Sequence, residues 1–149
     1  MKTRYTAALL AALLMGTSHV QAQFQRPDDA VKYRQGALFV MGQHFGRVGA
    51  MASGRVPFDA QVAQQNMDVV MAISVLPWAG FGPETQGINS RAKPNVWTDR
   101  AAFDEAGRNA LTALATLNEA TRTGNLEALR RTFGEAAATC KACHDNFRN

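Results

Sequence analysis

Apolar residues recur every three or four positions along four stretches of the chain, which is the period of a helix with one buried face. The first stretch opens at Pro27 and runs to about Ala52; the second follows Asp59 and continues to Leu76, where Pro77 stops it. The apolar stripes of these two predicted helices are Val31, Leu38, Met41, Phe45, Val48 and Ala52, and then Val62, Val69, Ile73 and Leu76. The pattern predicts two amphipathic helices.

The second half of the chain repeats this pattern after a long loop, roughly residues 82–97. Asp99 precedes a third predicted helix that ends near Gly124, and Asn125 caps a fourth. The apolar side chains of the third are Phe103, Ala106, Ala110, Leu114 and Leu117, and those of the fourth are Leu126, Leu129, Phe133, Ala136, Cys140, Cys143 and Phe147. Four such helices predict an all-α, antiparallel up-and-down four-helix bundle, a fold that holds cofactors between facing helices.

The beginning of the chain departs from this pattern and is typical of an export signal. Lys2 and Arg4 give a charged start, residues 7–15 form an unbroken apolar run, and a small-x-small cleavage site closes the segment at Ala22. Nine apolar residues are too few to cross a bilayer, and no later stretch reaches the roughly 18 that a membrane span needs. We therefore predict a cleaved signal peptide over residues 1–22, one exported domain over the remainder (23–149), a location outside the cytoplasm and no membrane span.

The charge of the chain excludes little but argues against nucleic acid as a partner. The full sequence has 16 Lys and Arg against 12 Asp and Glu. Without Lys2 and Arg4 the difference falls to +2, and the remaining basic residues are scattered among acidic ones. A nucleic-acid-binding protein concentrates its cations on one face.

The two cysteines of the chain, Cys140 and Cys143, stand immediately before His144 in the sequence Cys-Lys-Ala-Cys-His. This is the attachment signature for c-type haem, in which two thiols on one helical turn reach the vinyl groups of a porphyrin and the adjacent imidazole binds the iron. We therefore predict one covalent haem c per chain, with His144 as metal ligand. A zinc site is less favoured, because zinc needs about four ligands and the exported domain has only two Cys and two His, with His44 far from the motif in sequence. A redox Cys-x-x-Cys pair is also less favoured, because such a pair is expected near a βαβ pattern, which the sequence lacks here.

Arg34 interrupts the apolar stripe of the first predicted helix, between Val31 and Leu38. The spacing directs its guanidinium toward the interior of the bundle or its edge. Because a buried guanidinium needs an anionic partner and its planar fork matches a carboxylate, we predict that it binds a haem propionate. The alternative is that Arg34 extends outward at the end of the bundle and pairs with a surface acid.

Several longer motifs follow one another along the exported domain. They are Gln23-Phe24 with Pro27-x-Asp29-Ala30-x-x-Tyr33-Arg34-Gln35, then His44-Phe45-Gly46-Arg47, then Leu76-Pro77-Trp78-Ala79-x-Phe81-Gly82-Pro83, and last Cys140-Lys141-Ala142-Cys143-His144-Asp145-x-Phe147-Arg148. Together they resemble the cytochrome c prime family. The resemblance implies a periplasmic, usually homodimeric four-helix bundle with a high-spin, five-coordinate haem c whose empty distal site binds NO and CO. It also implies electron transfer, for which the periplasmic redox partner is unidentified.

The resemblance also implies roles for individual residues around the haem. Beyond the attachment motif these are Arg34 and Gln35 beside the propionates, Leu38 over the vacant distal face, Phe81 closing the same pocket with Trp78 nearby, Arg148 beside the proximal imidazole, and Ser90 with Arg91 in the loop at the haem edge. Arg148 lies four residues after His144 and therefore on the same helical face.

Two other functions are weighed against gas binding. A six-coordinate, low-spin electron carrier would take a methionine of the first helix as its second iron ligand, and Met41 is the candidate. It lies one turn beyond Leu38, however, and a methionine at helical spacing is typical of core packing. An enzyme such as a peroxidase needs a distal acid–base group, which neither Leu38 nor Phe81 provides.

His44 is off the main stripe and is expected at the surface or an interface. The outer faces of the first two helices are the natural surface for the dimer that the resemblance implies.

Overall fold

The computed structural model describes residues 23–149, so the predicted signal peptide lies outside the described residues. The helices, in chain order, are α1 (Pro27–Ala52), α2 (Ala60–Ser74), the single turn α3 (Asn95–Thr98), α4 (Arg100–Arg122) and α5 (Leu126–Phe147). Within the described part of the chain the only β pairing is one isolated bridge. The predicted all-α fold is confirmed, with α1, α2, α4 and α5 as its four long helices.

The predicted N-terminal caps of the long helices are confirmed. Asp59, Asp99 and Asn125 each accept a backbone N–H from the first turn of the helix that follows, as Asn125 does from Glu127 and Ala128. Such a side chain satisfies a donor that the helix itself leaves unpaired. The short polar residues between the apolar stripes therefore fix where α2, α4 and α5 begin.

The second helix ends earlier than the sequence pattern predicts, at Ser74 instead of Leu76. Pro77 has no N–H to donate to the carbonyl of Ile73, so the α-helical ladder loses that bond. Leu76 donates to Ile73 O instead, over 2.9 Å, in the tighter i→i−3 pattern. A first 3₁₀ turn, Pro77–Phe81, follows directly. The predicted loop after it is partly ordered into a second 3₁₀ turn, Pro83–Thr85, and α3.

Buried apolar side chains form two clusters in the bundle. The aliphatic cluster consists of Val48, Ala52, Met67, Val70, Leu114, Leu117, Leu129 and Ala136. The aromatic cluster consists of Phe81, Val96, Phe103 and Phe147. The first is supplied by all four long helices, whereas the second draws on the α2–α4 connection together with α4 and α5. The aromatic cluster therefore lies where α5 carries its cysteines.

Successive long helices pack against each other, as an up-and-down bundle requires. Helix α1 packs on α2, α2 on α4 and α4 on α5, and α1 closes the bundle against α5. Within residues 23–149, no helix combines the length and apolarity that crossing a membrane would demand.

Candidate haem-binding site

The two cysteines lie on the half-buried side of α5, near its C-terminal end. Both are free thiols, and Cys143 packs against the aromatic cluster. Burial raises the pKa of each thiol, an effect that a hydrogen bond with Thr139 partly offsets at Cys140. Both side chains are therefore held as protonated thiols on one face of one helix, as attachment to a single porphyrin requires.

His144 lies on the exposed side of α5, at the rim of the same site. Partial desolvation, followed by the positive charges of Arg148 and Arg91, lowers the pKa of its imidazole, although Asp145 opposes the shift. The ring is consequently neutral at pH 7, the form that binds iron. His144, Arg91 and Arg148 line one open surface cavity of about 510 Å³, together with Asp145 and Asn149.

The residues assigned to the distal pocket are brought together although they are far apart in sequence. Leu38 of α1, Trp78 and Cys143 all pack against the aromatic cluster that contains Phe81. The rings of Phe81 and Phe103 are 4.8 Å apart between centroids. Leu38, Trp78 and Phe81 offer no nitrogen, oxygen or sulfur placed to bind iron, since the indole Nε1 of Trp78 donates to Ser74 O over 2.8 Å.

Arg34 is buried, with 2% of its surface exposed, and the pattern's inward direction is confirmed. Its Nη1 donates to Gly80 O (2.6 Å) and Thr85 Oγ1 (3.1 Å), and its Nη2 donates to Ser90 Oγ (3.0 Å). The guanidinium lies 4.3 Å from the centroid of the Phe81 ring, and burial lowers its pKa. No carboxylate of residues 23–149 pairs with it, so the alternative of a surface acid is wrong for the described chain.

Of the other predicted contact residues, Ser90 and Arg91 lie at this site, whereas Gln35 does not contact the aromatic cluster. Ser90 is an acceptor for Arg34, and Arg91 Nε donates to Asn149 O over 2.7 Å. Gln35 is exposed on α1 and is not drawn into the aromatic cluster. The structure thus groups Ser90 with Arg34 and the next residue, Arg91, with His144.

Sequence reasoning missed Gly80 and Thr85 as partners of Arg34. They stand 46 and 51 residues away along the chain, and neither residue type marks a guanidinium site. Gly80 also fits closely against α1, because a Cβ built on it would lie 2.6 Å from Ala30 O and 2.8 Å from Arg34 Cβ. A glycine at this point of the Pro77–Phe81 turn allows the turn to reach Arg34.

Met41 and His44 lie outside this site, and the packing of Met41 bears on the alternative of a methionine-ligated iron. Met41 packs against the aliphatic cluster, whereas Leu38 packs against the aromatic one. His44 is half-buried between α1 and α2, with its Nδ1 2.9 Å from Asn66 Oδ1. No group of three or more His, Cys, Asp or Glu side chains within residues 23–149 is arranged to hold a metal ion by itself.

The side chains present fit a haem c. Two reduced thiols share the half-buried face of α5, a neutral imidazole follows them directly, and an apolar cluster and a buried guanidinium lie against the same end of the bundle. The thiols suit attachment to the vinyl groups of the cofactor, and the imidazole suits its iron. The guanidinium suits its propionate carboxylates. These features define a helical-bundle protein of the c-type cytochrome class.

Comparison with known proteins narrows this class to one family. The family model described as Cytochrome C′ matches residues 29–148. The chain belongs to the cytochrome c′ family. It is 44% identical over 126 residues to cytochrome c′ of Alcaligenes xylosoxydans xylosoxydans and 45% identical over 127 residues to that of Rubrivivax gelatinosus, each match covering 85% of this chain and 98% of the relative.

Solved structures of cytochrome c′ confirm the fold. The crystal structure of the Rubrivivax gelatinosus protein aligns with a TM-score of 0.82 at 44% identity, over 85% of this chain and 100% of the other. A nitric oxide complex of a leucine-to-alanine variant of the Alcaligenes xylosoxidans protein aligns with a TM-score of 0.80 at 42% identity, over 85% and 98% of the two chains. A ferrous arginine-to-lysine variant of that protein, with bound NO, aligns equally well.

Proposed function

We propose that the protein is a periplasmic cytochrome c′ that binds NO and CO at a haem iron with a single protein ligand, His144, and that it also exchanges electrons. The observation that carries this proposal is the set of side chains packed with Cys143. Leu38, Trp78 and Phe81 reach the attachment site from other parts of the fold, and none of them can bind iron. When bound, the haem supplies a one-electron couple and an open coordination position for a diatomic ligand.

Leu38 excludes ligands by size and Phe81 limits the space beside it. An entering diatomic molecule displaces the Leu38 side chain, which weakens binding by the cost of that displacement. Water and larger ligands are kept from the same apolar volume. Nitric oxide complexes of the Alcaligenes xylosoxidans protein include variants in which a leucine or an arginine is replaced, the residue types of Leu38 and Arg148.

Arg34 binds a propionate of the haem in this proposal, and Gln35 lies beside it. Its three bonds to Gly80, Thr85 and Ser90 leave the Nε–H and one Nη2–H without a partner in the described chain. Two donors on one planar group suit one carboxylate. The neutral acceptors hold the guanidinium in position, and the propionate supplies the counter-charge that the described residues lack.

Arg148 and Arg91 act on the proximal side. Both lie with His144 at the same cavity, and both favour its neutral form. Guanidinium N–H groups there donate to a polar ligand that approaches the imidazole. The loop that carries Ser90 and Arg91 thereby contacts both the propionate side and the proximal side of the site.

The six-coordinate alternative is not favoured by the packing of Met41. Its side chain contributes to the aliphatic cluster, so ligation would require it to leave a formed core. An enzymatic role is not proposed either, because the side chains assigned to the distal pocket hold no acid or base. The protein is therefore a binding and redox protein.

A homodimer is the assembly that the exposed apolar residues support. Six large apolar side chains of the described chain are exposed, and all lie on α1, on α2 or at their ends: Phe39, Val40, Val56, Val62, Val75 and Leu76. Large apolar side chains left exposed on two neighbouring helices are typical of a contact surface. We infer that a second copy covers it.

An optical spectrum of the purified holoprotein tests the proposed function. We expect the ferrous form to show the spectrum of high-spin, five-coordinate haem, and to change on addition of NO or CO. A low-spin ferrous spectrum, together with a methionine charge-transfer band in the ferric form, would instead establish Met41 or another methionine as the sixth ligand.

A further inference from the structure

Positive side chains gather around the C-terminal end of α5. Lys141 is 74% exposed and pairs with the carboxylate of Asp145, and Lys93 Nζ donates to the backbone O of the same residue over 2.7 Å. Arg91 and Arg148 line the surface cavity beside His144. We name Arg91, Lys93, Lys141 and Arg148 the C-terminal basic patch.

No second side-chain carboxylate neutralises the patch within the described residues. Asp145 is its one side-chain carboxylate, and that group is taken by Lys141; neither Arg91 nor Arg148 pairs with an Asp or Glu side chain of residues 23–149. Four basic side chains against one acidic side chain give the patch a side-chain charge of +3. Residues 23–149 together carry 14 basic and 12 acidic side chains, so the rest of this domain has a net charge of −1. The positive charge is therefore concentrated at this end.

The backbone beneath the patch is held in place. Ala92 and Arg148 form the isolated antiparallel bridge. Asn149 N donates to Arg91 O over 2.8 Å, and Arg91 Nε returns a bond to Asn149 O. These bonds tie the loop to the end of α5, so the four cations are presented on a fixed frame around His144 instead of on separate mobile segments.

We propose that the C-terminal basic patch is the docking surface for an acidic protein that exchanges electrons with this cytochrome. This inference rests on the redox part of the proposed function. A positive patch around the haem-bearing end steers a negative partner to the place where the cofactor is attached, which raises the association rate and orients the complex. All the side chains that line the cavity are polar or charged, with no apolar one to insert between lipid chains, and an acidic protein surface therefore suits it better than a membrane.

Binding of poly-L-glutamate to the holoprotein tests the surface itself. The patch variant carries Lys93→Gln and Lys141→Gln; its control carries Arg122→Gln and Arg131→Gln, which are exposed, lose the same charge and lie on α4 and the first half of α5. At low ionic strength we expect parent and control to bind within about twofold of each other and the patch variant to bind about tenfold more weakly. The difference should shrink once salt reduces the Debye length to about 8 Å.

Circular dichroism checks that both variants are folded. The single variant Lys141→Gln repeats the binding test while keeping the hydrogen bond from Lys93 to α5. Equal weakening in patch variant and control would show that only net charge matters, and would overturn the proposal. So would undiminished binding by the patch variant, or binding to phosphatidylglycerol vesicles without binding to poly-L-glutamate. The ferrous spectrum is recorded on the same samples, so a failure of the proposed haem coordination is seen separately from a failure of docking.

Discussion

Leu38 is the single side chain on which the steric part of the proposed function depends. It is half-buried and packs against the aromatic cluster beside Phe81 and Cys143. In the proposed function its branched end occupies apolar volume that a diatomic ligand would need. Under that proposal size, and not a hydrogen bond, sets the resistance to ligands at this face.

Replacing Leu38 with alanine should open that volume. We expect CO to bind the Leu38→Ala holoprotein at least tenfold faster, and the free energy of unfolding to fall by about 2 kcal/mol, the low end for a core truncation because the side chain is half-buried. Gln43→Ala, an exposed truncation on the same helix, should change neither quantity. Stopped-flow CO mixing and urea denaturation measure the two effects. Loss of stability with the parent CO rate would identify Leu38 as ordinary core.

Arg34 joins α1 to the connection between α2 and α4 through three hydrogen bonds. Replacing it with methionine leaves Gly80 O, Thr85 Oγ1 and Ser90 Oγ without this donor. We expect Arg34→Met to lower the free energy of unfolding by about 2–4 kcal/mol, since unsatisfied buried polar groups are costly. Arg47→Met, at an exposed position of the same helix, should cost less than about 0.5 kcal/mol. Similar urea midpoints for the two variants would contradict the clamping role of Arg34.

Among the helices, α4 shows how one small residue admits a large neighbour. A Cβ built on Gly107 would lie 2.9 Å from Cζ3 of Trp78 and 3.1 Å from its Cη2. The indole is held from its other side by the bond to Ser74 O. Glycine inside a helix costs about 1 kcal/mol relative to alanine, so the packing of Trp78 accounts for its presence.

A methyl group at Gly107 tests this contact. We expect Gly107→Ala to destabilise the protein by about 1–3 kcal/mol, because the indole must move out of a packed position. Gly134→Ala is the matched control, since nothing lies within 4 Å of a Cβ at that helical position, and there alanine should be neutral or stabilising by up to about 1 kcal/mol. In thermal unfolding the Tm of Gly107→Ala should therefore fall, while that of Gly134→Ala should stay the same or rise; an equal fall in both would refute the packing argument.

Local features of the sequence predict the helices well and their connection poorly. Apolar spacing and the capping residues Asp59, Asp99 and Asn125 place the starts of the last three long helices, because each cap acts on backbone within three residues of itself. The 3₁₀ turns and the acceptors of Arg34 could not be predicted in this way, since they depend on contacts across 46 or more residues. The apolar stripe of the first helix predicts that Arg34 points inward, but it does not predict the uncharged acceptors that bind its guanidinium.

The site shows the same division between local signal and long-range contact. The Cys-x-x-Cys-His motif identifies Cys140, Cys143 and His144 without any tertiary information. Leu38 and Phe81 are assigned only through family resemblance, because an apolar residue on a stripe carries no mark of the cofactor. The shared packing of Leu38 and Cys143 at the aromatic cluster agrees with that assignment, while Gln35 remains a prediction.

At the scale of the whole molecule, charged and apolar surfaces occupy different parts of the bundle. The C-terminal basic patch surrounds the end of α5 and the loop bonded to it. The exposed large apolar side chains of the described residues lie instead on α1, α2 and their ends. Contact between two copies through the apolar side chains would therefore use a different surface from the C-terminal basic patch.

Replacing apolar residues on that second surface tests the homodimer. Phe39 and Val75 are 65% and 61% exposed in one chain, and burial of each contributes about 1.5–3 kcal/mol when a partner covers it. The variant Phe39→Ser with Val75→Ser should therefore dissociate at least about a hundredfold more readily. Ala115→Ser, an exposed change on α4, should leave association unchanged. Sedimentation velocity of the holoproteins over a dilution series gives the dissociation constants. A parent that sediments as a monomer at every concentration, or a double variant that associates as tightly as the parent, would remove this surface as the dimer contact without altering the argument for the haem site.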